Sequence, residues 1–236
     1  MEIIGVRAVT EALKGSGEKI RLVVMDKKLP KLREILELAE AENLEIREDR
    51  NFFSRFKSSH QGVALVVPEY KYTELDEFLE RPKESRRAIV ALDSIEDVGN
   101  LGSIIRSASI FNISAVIITK DRSAQITPTV IKTAQGGLED VPVIMVVNLA
   151  RALRELKDAG YFVCGTDMEG DDVSEVFDDD VVIVIGSEHS GMRDGVKKEC
   201  DKILTIPMKK DSTVGSLNAS VAASIVFYEY YKKSCK

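Results

Sequence analysis

The sequence predicts an α/β protein in two parts, a small mixed unit followed by a larger parallel sheet wound with helices on both faces. Three observations carry this expectation. From Ala88 onward the runs AIVAL, AVIIT, VPVIMVV, YFVCG, VVIVIG and ILTI are almost entirely apolar and are separated by helical stretches, the pattern of strands buried on both faces. Residues 1–68 instead alternate short helical and strand patterns. Between the two lies EYKYTELDEFLERPKESRR, residues 69–87, which is charged, contains Pro82 and holds one short amphipathic helix. That composition suits a connector. The expected boundaries are therefore 1–68, 69–87 and 88–236.

The first part reads as a helix through Val6 to Leu13, the strand IRLVVM, a helix from Leu32 to Ala41, the strand LEIR, a helical turn at NFFSRF and the strand VALVV. Lys19, Arg21, Lys27, Lys28, Lys31 and Arg33 concentrate positive charge. Arg47, Arg50, Arg55 and Lys57 form a second basic group beside Phe52, Phe53 and Phe56. Basic residues beside aromatics can hold phosphates and stack on splayed bases, although acidic residues are interleaved and the three Phe also suit a core. His60, Gln61 and Gly62 make a polar bend before the last strand.

Composition narrows the classes. With 236 residues, 44% hydrophobic and 31% charged, the chain can bury a substantial core. No apolar run approaches the roughly 18 residues of a membrane span, and the start lacks the pattern of a signal peptide. The cytoplasm is the expected compartment. Cys164, Cys200 and Cys235 are far apart, without a CxxC pair, and read as reduced thiols. No spacing suggests a metal site. The formal net charge of -6 opposes a chain-wide basic surface but leaves room for a local one.

Ligands of doubly wound sheets sit beyond the carboxyl ends of the strands, so the loops there are where chemistry is expected. After AIVAL comes DSIEDVGNLGSIIRSASIF. Gly99 and Gly102 permit close backbone approach, and a helix opens there. G-x-x-G falls short of the three-glycine dinucleotide fingerprint, while Asp121 stands near the position of its ribose-binding acid; a nicotinamide enzyme is the second reading. Arg106 lies one turn beyond Gly102 and leans back toward it, with a surface ion pair to Glu96 or Asp97 as its simpler use. After VVIVI comes GSEHSGM, a tight turn bracketed by Gly186 and Gly191 that presents Glu188 and His189. After ILTI, the chain passes Pro207 and Gly215 into a final helix. Ser216, Leu217 and Asn218 stand at its start, the position of an N-cap.

NLGSIIR (residues 100–106), IGSEHSGM (185–192), and IPM with SLNASVAAS (206–224) resemble, in order and at strand ends, the three motifs of the SpoU-type (TrmH-like) RNA ribose 2'-O-methyltransferases of the SPOUT superfamily. The likeness covers the second part. The first, including HQGVAL, is similar to the small substrate-binding module of the branch that modifies guanosine in 23S ribosomal RNA. The resemblance implies a small RNA-binding module and a parallel-sheet SPOUT domain with a C-terminal trefoil knot, S-adenosyl-L-methionine as cofactor, and a homodimer. It implies an RNA substrate, ribosomal RNA favoured over tRNA, with a tRNA enzyme or a catalytically silent RNA-binding protein of this fold as alternatives.

It also implies roles. Arg106 would act at the ribose 2'-hydroxyl and adjacent phosphate, while Asn100, Glu188, Ser216 and Asn218 organise acceptor and cofactor loops. Gly186, Ile206 and Leu217 would hold the adenosyl part through their backbones, joined by Met208 and Thr166. Methyl transfer from a sulfonium to a hydroxyl is an in-line displacement that needs alignment and loss of one proton, without metal or covalent intermediate. One departure stands out: Lys209, Lys210, Asp211, Ser212 and Thr213 lengthen the loop before SLN, where the family has a Gly and a shorter loop.

Overall fold

The computed structural model describes residues 1–15, 17–56, 59–174, 180–209 and 215–234. The chain divides into two compact units, Met1–Lys71 and Tyr72–Lys236.

The first unit is a four-stranded sheet in the order β1-β4-β2-β3, with β1 Glu2–Ile4, β2 Arg21–Val24, β3 Glu45–Glu48 and β4 Val63–Val66. β4 runs antiparallel to both neighbours, so Leu65 stands between Ile3 and Leu22; β2 and β3 are parallel. Alternation along the strands separates two faces. Leu22, Val24, Val63 and Leu65 pack with Val9 and Leu13 of α1 (Val6–Lys14) and Ile35 and Ala39 of α2 (Arg33–Ala41), whereas Val23 and Ala64 pack with Phe53. β1 escaped the sequence pattern because three residues carry no usable period.

The bend before β4 is a structural tie. Gln61, at φ 53°, accepts from Val6 N at 2.7 Å through Oε1 and so caps α1, whose N-cap Gly5 has no side-chain oxygen. His60 Nδ1 accepts from Gly62 N at 3.0 Å, and its ring lies 4.7 Å from that of Phe53. Much of the basic charge is compensated: Lys19 pairs with Glu42, Arg47 with Asp49, Arg50 with Asp26 and Arg55 with Glu2. Arg55 also lies over the Phe52 ring at 4.1 Å. Among the described residues, Lys27, Lys28 and Lys31 have no ion-pair partner; Lys57 lies outside them.

The second unit holds α3 Leu75–Leu79 and six parallel strands, β5 Ala88–Asp93, β6 Ala115–Thr119, β7 Val143–Val146, β8 Phe162–Asp172, β9 Val181–Gly186 and β10 Lys202–Thr205. Their order is β10-β8-β9-β5-β6-β7. Each of the six apolar runs forms a strand of this sheet. Ile89, Ala91, Ile117, Ile144, Val182 and Val184 face a core closed by α7 Leu149–Asp158 and α8 Asp194–Lys197. The intervening residues point to the opposite face, where α4 Val98–Ile110, α5 Pro128–Ala134, α6 Gly137–Asp140 and α9 Ala219–Ser234 pack on one another and on the sheet.

The stretch expected as a connector is mostly folded onto this unit. Leu75 and Phe78, one turn apart on α3, enter its core, and Thr73 N donates to Val143 O at 3.0 Å. The short amphipathic helix expected there is α3, and its apolar side, which Leu79 also joins, docks on the sheet instead of standing free in a connector. At the far edge, Ile203 pairs with Gly165 but Leu204 with Asp171, so residues 166–170 bulge out of the β8–β10 ladder.

Candidate active site

The site is assembled at the carboxyl ends of β5 and β9 and at the start of α9. β5 ends on Asp93, which is fully buried and would be costly without partners. Arg193 supplies them: its backbone N donates to Oδ2 at 2.7 Å, and Nε and Nη2 lie 2.6 Å from Oδ1. This ion pair ties the loop after β5 to the loop after β9. Asp97 then caps α4 by accepting from Asn100 N at 2.7 Å, which fixes the backbone from which the Asn100 side chain projects.

The loop after β9 is a turn closed on itself. Ser187 N donates to Gly191 O at 3.1 Å, Gly191 N donates back to Ser187 O at 2.9 Å, and the Ser187 and Ser190 hydroxyls lie 2.8 Å apart. The turn folds so tightly over Gly186 that a Cβ there would stand 2.4 Å from the Gly191 carbonyl carbon. Glu188 and His189 are exposed at its tip.

Glu188 is then gripped from two sides. Its Oε1 accepts from Asn100 Nδ2 at 2.8 Å, Asn218 Nδ2 at 2.7 Å and Ala219 N at 3.1 Å. Asn218 Nδ2 also donates to Asn100 Oδ1 at 2.9 Å. The Asn218 carbonyl oxygen accepts from Ser220 N at 3.0 Å and Val221 N at 3.3 Å, so the same side chain caps α9. The two readings of Asn218, cap and site residue, hold together. A carboxylate at this point is further favoured by the positive end of a 16-residue helix.

The other predicted residues are placed as follows. Arg106 is exposed on α4 and, among the described residues, has no hydrogen-bond or ion-pair partner; neither Glu96 nor Asp97 holds it. Gly102 gives Arg106 no path into the loop, because its face is closed by α5: a Cβ would lie 2.5 Å from Thr133 Cβ. The glycine serves helix packing. Ser107, beside Arg106, fixes α4 to α9 through a 2.8 Å contact between its hydroxyl and that of Ser224. Ser216 is exposed and Leu217 half-buried, Ile206 is half-buried and Met208 is 39% exposed. Thr166 Oγ1 donates to Val184 O at 3.0 Å, so its hydroxyl is already engaged in the sheet. Lys209 is exposed, while residues 210–213 of the lengthened loop lie outside the described residues.

Asp93 and Arg193 escaped sequence reasoning. The available signal was a carboxylate closing an otherwise apolar strand, which has to find a cation. Cys164 and Cys200 are free thiols, and burial pushes Cys200 up to about 11; Cys235 lies outside the described residues. Among the described residues no cluster of metal-ligating side chains occurs, and no helix is long and apolar enough to cross a membrane.

The profile of the SpoU rRNA Methylase family matches residues 87–228, and that of the RNA 2'-O ribose methyltransferase substrate-binding domain matches residues 3–73. A Staphylococcus epidermidis chain described as a TrmH-family tRNA/rRNA methyltransferase is 40% identical over 239 residues, covering 98% of this chain and 95% of its own. The SpoU methyltransferase AviRb of Streptomyces viridochromogenes, solved with the cofactor AdoMet, aligns over 100% of this chain and 90% of its own at 25% identity and TM-score 0.72. A TrmH/SpoU tRNA-modifying enzyme of A. aeolicus covers 67% of this chain and 83% of its own at 26% identity and TM-score 0.57. Fold, site and relatives define a parallel-sheet α/β RNA methyltransferase. The chain belongs to the SpoU/TrmH family.

The two carboxylates of the site differ in burial, and their removal should differ accordingly. Arg193→Ala strands the buried Asp93 and is expected to cost about 3–5 kcal/mol of stability. Glu188→Ala leaves donors that water can reach and is expected to cost no more than about 1 kcal/mol. Urea unfolding of both variants checks this; equal losses would refute the distinction.

Proposed function

We propose that the protein transfers the methyl group of S-adenosyl-L-methionine to a ribose 2'-hydroxyl, and that its substrate is a guanosine of 23S ribosomal RNA. The observation that carries the reading is the Asn100–Glu188–Asn218 cluster, which joins the helix after β5 and the loop after β9 to the start of α9 and, among the described residues, leaves Glu188 Oε2 without a partner. That oxygen is the natural acceptor for a ribose hydroxyl. Arg106, exposed on the same helix as Asn100, offers five N–H donors and no acceptor, so it positions the acceptor ribose and its phosphate.

Three of the residues assigned to the cofactor fit it by their free backbone groups. Ile206, Met208 and Leu217 have no hydrogen-bond partner for their backbone groups among the described residues, which leaves donors and acceptors for the edge of an adenine. S-adenosylmethionine, when bound, supplies a methyl group on a positively charged sulfur. The chain's part is to hold the acceptor oxygen in line with it and to keep the departing proton beside a fixed carboxylate. Ser216, exposed and unpartnered among the described residues, completes the polar rim. The return of the chain after β10 to place Asn218 against Glu188 supports the trefoil knot that the family resemblance implies.

A ribosomal RNA substrate is supported by the first unit, which the substrate-binding profile covers, and by the likeness to AviRb over the whole chain where the A. aeolicus tRNA-modifying enzyme matches 67% of it. Such a substrate supports a cytoplasmic location. A homodimer is supported by an apolar face on α4 and α9, where Ile110, Val221, Tyr228 and Tyr231 are exposed around a groove of about 350 Å³ that Phe111 and Ile225 also line. Its occupant is a second copy of the chain.

Arg106→Ala should lower the transfer rate to unmodified large-subunit RNA by about 100-fold or more, with S-adenosylmethionine affinity unchanged by calorimetry. Equal loss of both would contradict the role of Arg106. Tyr228→Asp should convert a dimer to a monomer in sedimentation velocity; a wild-type monomer, or an unaltered dimer, would exclude this face as the interface.

A further inference from the structure

Beyond the ends of β6 and β7 lies a cavity of about 530 Å³ that methyl transfer does not use. Its size falls in the roughly 300–1,000 Å³ range of small-ligand pockets. Asp121, Arg122, Val147, Asn148 and Arg193 are among its walls. Their chemistry is mixed in an informative way.

Val147 is apolar yet 80% exposed at a strand end, so it offers a flat contact that the chain leaves uncovered. Asn148 Oδ1 accepts from Arg151 N at 3.0 Å as the cap of α7, which leaves its amide N–H groups as donors. The Asp121 carboxylate and the Arg122 guanidinium are exposed and, among the described residues, unpartnered. Arg193 differs: its charge is already met by Asp93.

Arg122 is also held in place. Its φ of 56° is left-handed, a conformation that a residue with a side chain adopts at a cost. Thr119 Oγ1 donates to Asp121 O at 2.6 Å, and Gln125 Nε2 donates to the carbonyls of Thr119, Lys120 and Ser123 at 3.1, 3.4 and 3.1 Å. Tyr72 braces the next residue by accepting from Ile126 N at 2.9 Å. The backbone of the loop is therefore held, and it carries one cation and one carboxylate at the cavity rim.

An apolar wall, a donor and an acceptor for a base edge, and an uncompensated cation match the parts of a single nucleotide. The cavity also borders the proposed site: the Asp93–Arg193 pair, whose arginine lines it, closes the same two loops that carry Asn100 and Glu188. We propose that this cavity seats a nucleotide of the RNA substrate flanking the methylated one, with its base against Val147, its edge on Asp121 and Asn148, and its phosphate on Arg122. The assignment rests on the reading of the protein as an RNA methyltransferase, and a free nucleotide would share the same chemistry.

The test is photocrosslinking of the full chain to a pool of short random-sequence RNAs bearing thiouridine, followed by peptide mapping. Crosslinks are expected within residues 119–122 or 147–150. Val147→Asp, with folding and S-adenosylmethionine affinity unchanged, should lower their yield at least about fivefold, because it replaces an apolar contact with a negative charge facing the RNA. Arg122→Gln should reduce the slope of log affinity on log salt by about 0.7, one phosphate contact. Crosslinks confined elsewhere, or a Val147→Asp yield equal to wild type, would overturn the proposal, as would displacement of the RNA by free nucleoside monophosphates at equal nucleotide concentration. If the crosslinks appear but calorimetry finds no S-adenosylmethionine binding, the methyl-transfer reading falls and the RNA pocket stands.

Discussion

A single oxygen, Oε1 of Glu188, receives three donors that come from the helix after β5 and from the start of α9. The rest of the site follows from satisfying it. A side-chain amide has both a donor and an acceptor end, so Asn100 and Asn218 can each hold Glu188 while also bonding to one another, and Asn218 still caps α9 with its carbonyl oxygen. A hydroxyl at either position would be too short to do this. The cluster thus converts three loops, far apart in sequence, into one surface.

Below this cluster the architecture removes alternatives. Six parallel strands fix the carboxyl ends side by side, and the Asp93–Arg193 pair holds the loops after β5 and β9 in one arrangement because the fully buried Asp93 carboxylate depends on Arg193 for its partners. Gly186 lets the turn collapse onto its own base, and Gly102 lets α5 approach α4. These contacts set where the polar groups stand; the groups themselves then determine what can be bound.

Much of this was legible in the sequence because the responsible signals are local. Unbroken Val and Ile runs declared a parallel sheet, and loops after such strands are where Asn100, Glu188 and Asn218 were sought. What escaped had non-local causes. Asp93 looked like the start of a loop and proved to be buried, since its partner lies 100 residues away. Gly102 looked like an opening for Arg106 and proved to be a packing surface for a helix whose approach no spacing reveals. Phe78 lay within a charged segment, and only the presence of β7 beside it makes α3 part of the core rather than part of a connector. The cavity beside Val147 is a property of three strand ends together and has no motif.

The central claim is that Asn100 and Asn218 act as one unit through Glu188. A double-mutant cycle on methyl transfer to large-subunit RNA, with Asn100→Ala, Asn218→Ala and the double variant, tests it directly. Residues that act as a unit are far from additive, so the double variant should lose scarcely more rate than the more damaged single variant. Losses that multiply would show two independent residues and contradict the account.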